Sequence, residues 1–210
     1  MILHAEDIKN LEQRYRTTFI NSLAGLKQVV LIGSASREGV GNLAIFNSII
    51  HIGANPAYYG FICRPDTVKR DTLQNIMDTQ WYTFNYVRGN DFVKAHQTSA
   101  KYTSAISEFD AVGFTREDKT DCIAPFVKEA VVKIALQLED KVDIKINNTT
   151  LVIGSIKYVE TDEGLVGDDG FVALDRANIL ACAGLDAYYT SEFLGRLTYA
   201  RPDRWPSVID

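Results

Sequence analysis

Apolar residues recur at three- and four-residue steps through the opening segment HAEDIKNLEQRYRTTFINSLAG, where Ile8, Leu11, Tyr15, Phe19 and Leu23 share one face. That spacing predicts a helix over about 5–24, with Gly25 as its stop. The pattern then changes. KQVVLIGSAS is a β-branched run ending in small residues and reads as a strand. Arg37-Glu38-Gly39-Val40 supplies a turn, and GNLAIFNSIIHIG resumes as a second strand. A third, AYYGFICR, follows Asn55-Pro56, whose proline cannot donate to a ladder and so fixes the approach to the strand.

VKRDTLQNIMDTQ is the clearest short helix, with Leu73, Ile76 and Met77 on one face and Asp71 or Thr72 near its start. WYTFNYV is a strand of aromatic and β-branched residues. DFVKAHQTSA and SAISEFDAVG read as short helices or ordered loop. FVKEAVVKIALQLEDKVDIKINNTTLVIGSIKYVE is strand-like, broken near Glu139-Asp140 and Asn147-Asn148, and the remainder mixes short helical pieces with Gly and Pro. Six or seven strands joined mostly by hairpins predict an α+β, mainly β fold built on a closed or partly closed antiparallel barrel. A single domain over 1–210 is expected: the N-terminal helix, a barrel over about 27–160, and a helical or loop segment over about 172–210. Alternating βαβ units are absent, which argues against a dinucleotide-binding sheet.

One stretch does not fit a plain core. Gly39 to Pro65 is largely apolar, yet it carries Asn42, Asn47, Ser48, His51 and Asn55. Either these groups pair with backbone at a barrel corner, or they face a ligand. The net charge of −5 argues against a nucleic-acid surface, which needs clustered Lys and Arg. No apolar run reaches the roughly 20 residues that span a bilayer. The charged N-terminus is unlike an export signal, so a cytoplasmic protein is expected. Cys63, Cys122 and Cys182 are too scattered for a disulfide framework or a CxxC site and read as small buried hydrophobes.

Conventional chemistry is scarce. Gly39 and Gly41 lack the dinucleotide spacing, and GDDG at 167–170 reads as a turn with too few oxygen ligands for calcium. His4, His51 and His96 have no zinc spacing, so no metal is expected, and no nucleophile triad can be assembled. The catalytic residues stay unassigned. CRPDTVKRDT is more informative. Arg64, Lys69 and Arg70, with Thr67 and Thr72, lead into a helix start, which is equipment for holding a phosphate; a solvated basic loop is the alternative.

The ordered set of these elements resembles the flavin reductase-like family of FMN-binding split barrels. The residues that carry the likeness are Gly39, Asn42 and Ala44, then Asn47 and Ser48, Asn55-Pro56, Arg70-Asp71-Thr72 and Asn75-Ile76. AHQTSAKY, SEFDAVGFT and LVIGSIKYV match downstream elements. The likeness covers about Lys27 to Glu160, with weaker agreement from Leu174 to Pro202. Two positions depart from the pattern: Ala57 stands where a second proline is usual, and Asn47 where serine is common.

The resemblance implies an antiparallel Greek-key split β-barrel with flanking helices, a homodimer, and FMN at or near the subunit interface. It implies that Asn42, Ala44, Asn47 and Ser48 face the flavin ring, and that Arg64, Thr67, Lys69, Arg70 and Thr72 hold the phosphate. His96, Thr98 and Ser99 would lie nearby. The implied activity moves electrons from NADH or NADPH through FMN to free flavin, a metal complex or a partner oxygenase. A non-catalytic FMN electron carrier, and a related split barrel holding another phosphate-bearing cofactor, are the alternatives. Nucleic-acid and membrane partners are not expected.

Overall fold

Helical spacing at the start of the chain yields two helices, α1 (Ala5–Asn10) and α2 (Gln13–Ser22), where one was expected. The computed structural model describes residues 1–65, 71–103 and 105–209. The apolar steps run through the break, but Leu11 takes an extended ψ of 144°. Glu12 then starts a second helix, its carboxylate accepting the Tyr15 N–H at 2.8 Å. A side-chain acceptor satisfies an N–H that a helix start leaves open. Neither helix buries a residue.

The strands follow as β1 (Leu26–Gln28), β2 (Val30–Ala35), β3 (Gly41–Phe46), β4 (Ile49–Ala54) and β5 (Ala57–Cys63). After α3 (Asp71–Thr79) come β6 (Trp81–Tyr86), α4 (Phe92–Gln97), α5 (Glu108–Val112), β7 (Arg116–Lys119) and β8 (Cys122–Val127). The long strands β9 (Val132–Ile144) and β10 (Thr149–Thr161) and the short β11 (Leu180–Ala183) and β12 (Ala187–Thr190) complete the set. Seven strands form one antiparallel sheet in the order β3-β2-β6-β9-β10-β5-β4. Its two edge strands, β3 and β4, are successive pieces of one chain segment. The sheet therefore curls until its edges meet at Asn47-Ser48, where the Ile62 N–H donates to the Ser48 carbonyl at 3.1 Å. This is a mainly β, α+β split barrel with flanking helices, as expected.

Three expectations need correction. GNLAIFNSIIHIG is two strands, because Asn47 and Ser48 bend it. Glu139-Asp140 does not end β9; the register steps from Leu138↔Gly154 to Asp140↔Ile153, so Glu139 is the extra residue of a bulge and pairing continues. The C-terminal segment is not helical: β11 pairs with β1 and β12 in a separate three-stranded sheet, and residues 196–209 form a hairpin with a Leu197↔Val208 bridge. Leu180 and Cys182 are buried while their neighbours are half-buried, the period-two signature of a strand. With β1 committed to that sheet, the barrel begins at β2.

β2 is apolar at successive positions because both its faces are covered. Val30 and Ile32 point into the barrel with Phe61, Tyr82, Phe84 and Leu136, while Leu31 joins Leu43, Phe109 and Leu180 in a second cluster outside it. Phe61 sits at the barrel centre, 5.5 Å from the Tyr82 ring and 6.0 Å from Phe84. β8 crosses β2 and β6 so closely that a Cβ at Gly33 would collide with the Pro125 carbonyl oxygen and the Thr83 hydroxyl. Thr83 donates to that carbonyl at 2.7 Å and Asn85 accepts the Val127 N–H at 2.9 Å, so these two buried side chains of β6 are paired, while the buried Tyr82 hydroxyl meets no partner among the described residues.

Candidate functional site

The site is built along β3. As an edge strand β3 has outward backbone donors to satisfy, and Glu108 of α5 takes one, accepting the Leu43 N–H at 3.0 Å. Burial holds the Glu108 carboxyl above its ordinary range despite that bond. On the opposite face Asn42, Ala44 and Phe46 alternate with the buried Gly41 and Leu43.

Asn42 anchors a polar node. It lies across from Ser34 in the β2–β3 register, and its amide donates to the Ser34 hydroxyl at 3.3 Å and to the Thr72 hydroxyl at 2.9 Å. Asn75 donates to the same Ser34 oxygen at 3.2 Å. Ser34, Thr72 and Asn75 are all buried. The node therefore fastens the first turn of α3 to the barrel. Asn42 spends both amide hydrogens here. Among the described residues no donor reaches its amide oxygen.

A second polar group lies at the barrel corner, about 16 Å along the strand at ~3.3 Å per residue. Asn47 donates to the Gly184 carbonyl at 3.0 Å and to the Cys182 sulfur at 3.8 Å. Ser48 donates to the Ile62 carbonyl at 3.0 Å. Pairing with backbone at the corner is thus realised for both side chains. Their remaining capacity is for accepting. A groove of about 380 Å³ opens at this corner, lined by Lys27, Gln28, Asn47, Ser48, Ile50 and Ile62. That is within the size range of small-molecule sites, about 300–1,000 Å³.

Lys27, Cys182 and Tyr188 stand directly opposite one another across β1, β11 and β12. Tyr188 carries the row on to His96 of α4, whose Nδ1 is 2.8 Å from the tyrosine hydroxyl. Burial pushes the Tyr188 phenol up to about 12, and burial raises the Cys182 thiol against the opposing Asn47 bond. Asn47 and His96 thus touch neighbouring members of one row, Cys182 and Tyr188.

The remaining expected residues divide. Ala44 is half-buried opposite Ile32, and Arg64 is exposed just after β5. Thr98 turns its hydroxyl back to the Ala95 carbonyl at 2.8 Å and is buried, so it ends α4 and faces no site; Ser99, next to it, is exposed. Thr67, Lys69 and Arg70 lie outside the described residues. Ser34, Cys182 and Tyr188 were not anticipated, since no local spacing connects Asn47 to residues 135 and 137 positions away.

Residues 24–177 match the family model of the flavin reductase like domain. The chain belongs to the flavin reductase-like family. It is 46% identical to a chain from Shewanella frigidimarina NCIMB 400 assigned as a flavin reductase with a split barrel domain. That alignment covers 95% of this chain and 100% of the other, at a TM-score of 0.92. Two more distant structures share the fold. Component B of nitrilotriacetate monooxygenase from Bacillus cereus has 16% identity and a TM-score of 0.82, covering 94% and 98% of the two chains. An FMN-binding protein from Thermus thermophilus has 16% identity and a TM-score of 0.66, covering 80% and 88%. The flavin reductase-like match takes in Asn42, Asn47, Thr72 and His96. Tyr188 and the C-terminal hairpin lie beyond it.

Proposed function

We propose that residues 1–210 act as one FMN-binding domain, moving electrons from NADH or NADPH through the flavin to free flavin, a metal complex or a partner protein such as an oxygenase. The observation that carries this reading is the strip along β3. Its phosphate end is the polar node at the start of α3. Its ring end is the apolar groove at Asn47-Ser48.

The donor set fits. The pyrimidine edge of the flavin ring offers an N–H between two carbonyls, and the Asn47 amide oxygen retains acceptor capacity for such an N–H, while that of Asn42 can accept a hydroxyl of the ribityl chain. Ile50 and Ile62 supply an apolar wall for the rest of a flat ring. Thr72, at the N-terminal turn of α3, and the basic side chains Arg64, Lys69 and Arg70 suit a phosphate ester. Bound FMN supplies the hydride and electron chemistry, so the chain needs no acid or base of its own. Its part is to orient the ring, to keep the ring's apolar faces from water and to neutralise the phosphate. The family assignment and the FMN-binding Thermus relative support the cofactor; the monooxygenase component supports an oxygenase partner. Three buried thiols accord with a reducing cytoplasm. A homodimer with the flavin at or near the subunit interface completes the proposal.

The visible spectrum of the purified protein supplied with FMN, then titrated anaerobically with NADH and NADPH, tests this. A bound-flavin spectrum that bleaches with one nucleotide is expected. A bound flavin that neither nucleotide reduces would leave a carrier fed by another protein, and no uptake of FMN would refute the site. Arg70→Ala should weaken FMN by about 1–3 kcal/mol through loss of a charge-assisted bond.

A further inference from the structure

The C-terminal hairpin carries an unusual surface. Leu194 is 96% exposed, Tyr199 87% and Trp205 92%, and Leu197 and Val208 are exposed beside them. The root of the hairpin is fixed: the Arg196 guanidinium pairs with Asp169 and lies 4.4 Å over the Phe171 ring. Beyond the root, every hydrogen bond of residues 197–209 among the described residues stays inside the hairpin, such as the Thr198 N–H to the Ser207 carbonyl at 2.9 Å. An anchored, paired arm whose Tyr199 and Trp205 stay exposed is shaped to cover something else.

A matching surface exists on the same chain. β4 is bonded only to β5, so its other edge presents open backbone groups, and Ile50 and Ile52 are exposed along it. An uncovered apolar edge strand is an aggregation hazard that native proteins cover. Donor and acceptor both belong to this sequence, so reciprocal exchange across a two-fold axis satisfies both at once. The areas agree. An aromatic ring presents about 150–250 Å², so Tyr199 and Trp205 offer about 300–500 Å² per arm. Two arms with the surface they cover reach about 1,200–2,000 Å², the range of a stable interface.

We propose that the hairpin over residues 196–209 is an exchange arm that packs on the β4 edge of a second copy of this chain, with Tyr199 and Trp205 against Ile50 and Ile52. The inference names the contact surface and shares Ile50 with the proposed flavin wall, so it is tested on the flavin-free chain, where its failure is distinct from failure of the flavin assignment.

Light scattering of the flavin-free chain, together with acrylamide quenching of Trp205 in a Trp81→Phe background, tests it. The expected result is a dimer in which Trp205 is shielded and becomes quenchable on dilution. Tyr199→Glu/Trp205→Glu and, separately, Ile50→Glu/Ile52→Glu should each weaken dimerisation by more than about tenfold. These side chains are exposed in one copy, so unchanged far-ultraviolet circular dichroism should accompany the loss. A monomer at high concentration, a dimer with freely quenched Trp205, or an Ile50/Ile52 variant that dimerises like wild type would each overturn the proposal.

Discussion

Glu160 sits at the centre of a charge network that staples the β7–β8 hairpin to the barrel. Its carboxylate lies 2.7 Å from the Lys119 ammonium, 3.0 Å from that of Lys133, and accepts the Tyr158 hydroxyl at 2.6 Å. Lys133, opposite Glu160 in the β9–β10 register, is buried and also reaches Glu117 at 2.5 Å. Burial disfavours the Lys133 charge, but the two carboxylates overcome it and hold its pKa up. The Lys119 bond, then Tyr158 and Lys133, draw the Glu160 carboxyl from 4.5 down to about 2. A carboxyl depressed in the folded state stabilises above its unfolded pKa and loses that contribution as pH falls. The relevant window runs from about pH 5 to pH 2. The full shift corresponds to at most about 3.4 kcal/mol. Glu160 is more than a third exposed, so solvent screening reduces this to about 1–2 kcal/mol. Thermal unfolding of wild type and Glu160→Gln across pH 7 to 3 measures it. At pH 7 the variant should melt about 2–8 °C lower, and that gap should shrink by about half by pH 3. A gap that stays constant with pH would show that the network does not act through the Glu160 charge.

Gly33→Ala should destabilise by at least ~2 kcal/mol in denaturant unfolding, because the new Cβ meets the Pro125 carbonyl and cannot be moved aside without shifting β8; a neutral result would mean that β8 does not cross there. Phe61→Ala should cost about 3–5 kcal/mol by emptying the aromatic centre of the barrel, read from the same curves. Asn42→Leu should leave the far-ultraviolet spectrum intact and weaken FMN binding, and equal affinity by flavin fluorescence titration would remove Asn42 from the site. The thiols Cys63, Cys122 and Cys182 are buried, and burial raises that of Cys122 to about 11, so a thiol-specific dye should label the chain only after unfolding.

Local pattern carried much of the barrel. The β-branched runs of β2 and β5, the aromatic β6 and the one-sided stripe of α3 each state their own period, because side chains alternate on strands and return every 3.6 residues on helices. Pattern failed where a conformation is decided by a single polar group or by a partner far along the chain. Glu12 split a helix whose apolar steps ran on without interruption. Asn47 and Ser48 bent a strand whose hydrophobicity did not change. Glu139 looked like a break and proved to be a bulge, since the neighbouring strand continued to offer partners.

The candidate site divides the same way. Asn42, Asn47 and Ser48 stand out in sequence because uncharged hydrogen-bonding groups inside an apolar run demand partners, and Thr72 because it stands with basic residues at a helix start. That these side chains need partners was therefore legible in sequence. What each one touches was decided by the fold: Ser34 and Asn75 for Asn42, the Gly184 carbonyl and Cys182 for Asn47, the Ile62 carbonyl for Ser48. Thr98 shows the converse, a residue that suits a site by type and ends its own helix instead. Residue type and periodicity determine what a segment must bury or pair. Only closing the sheet on itself decides with whom, because the partners lie dozens to more than a hundred residues apart and meet through the register of other strands.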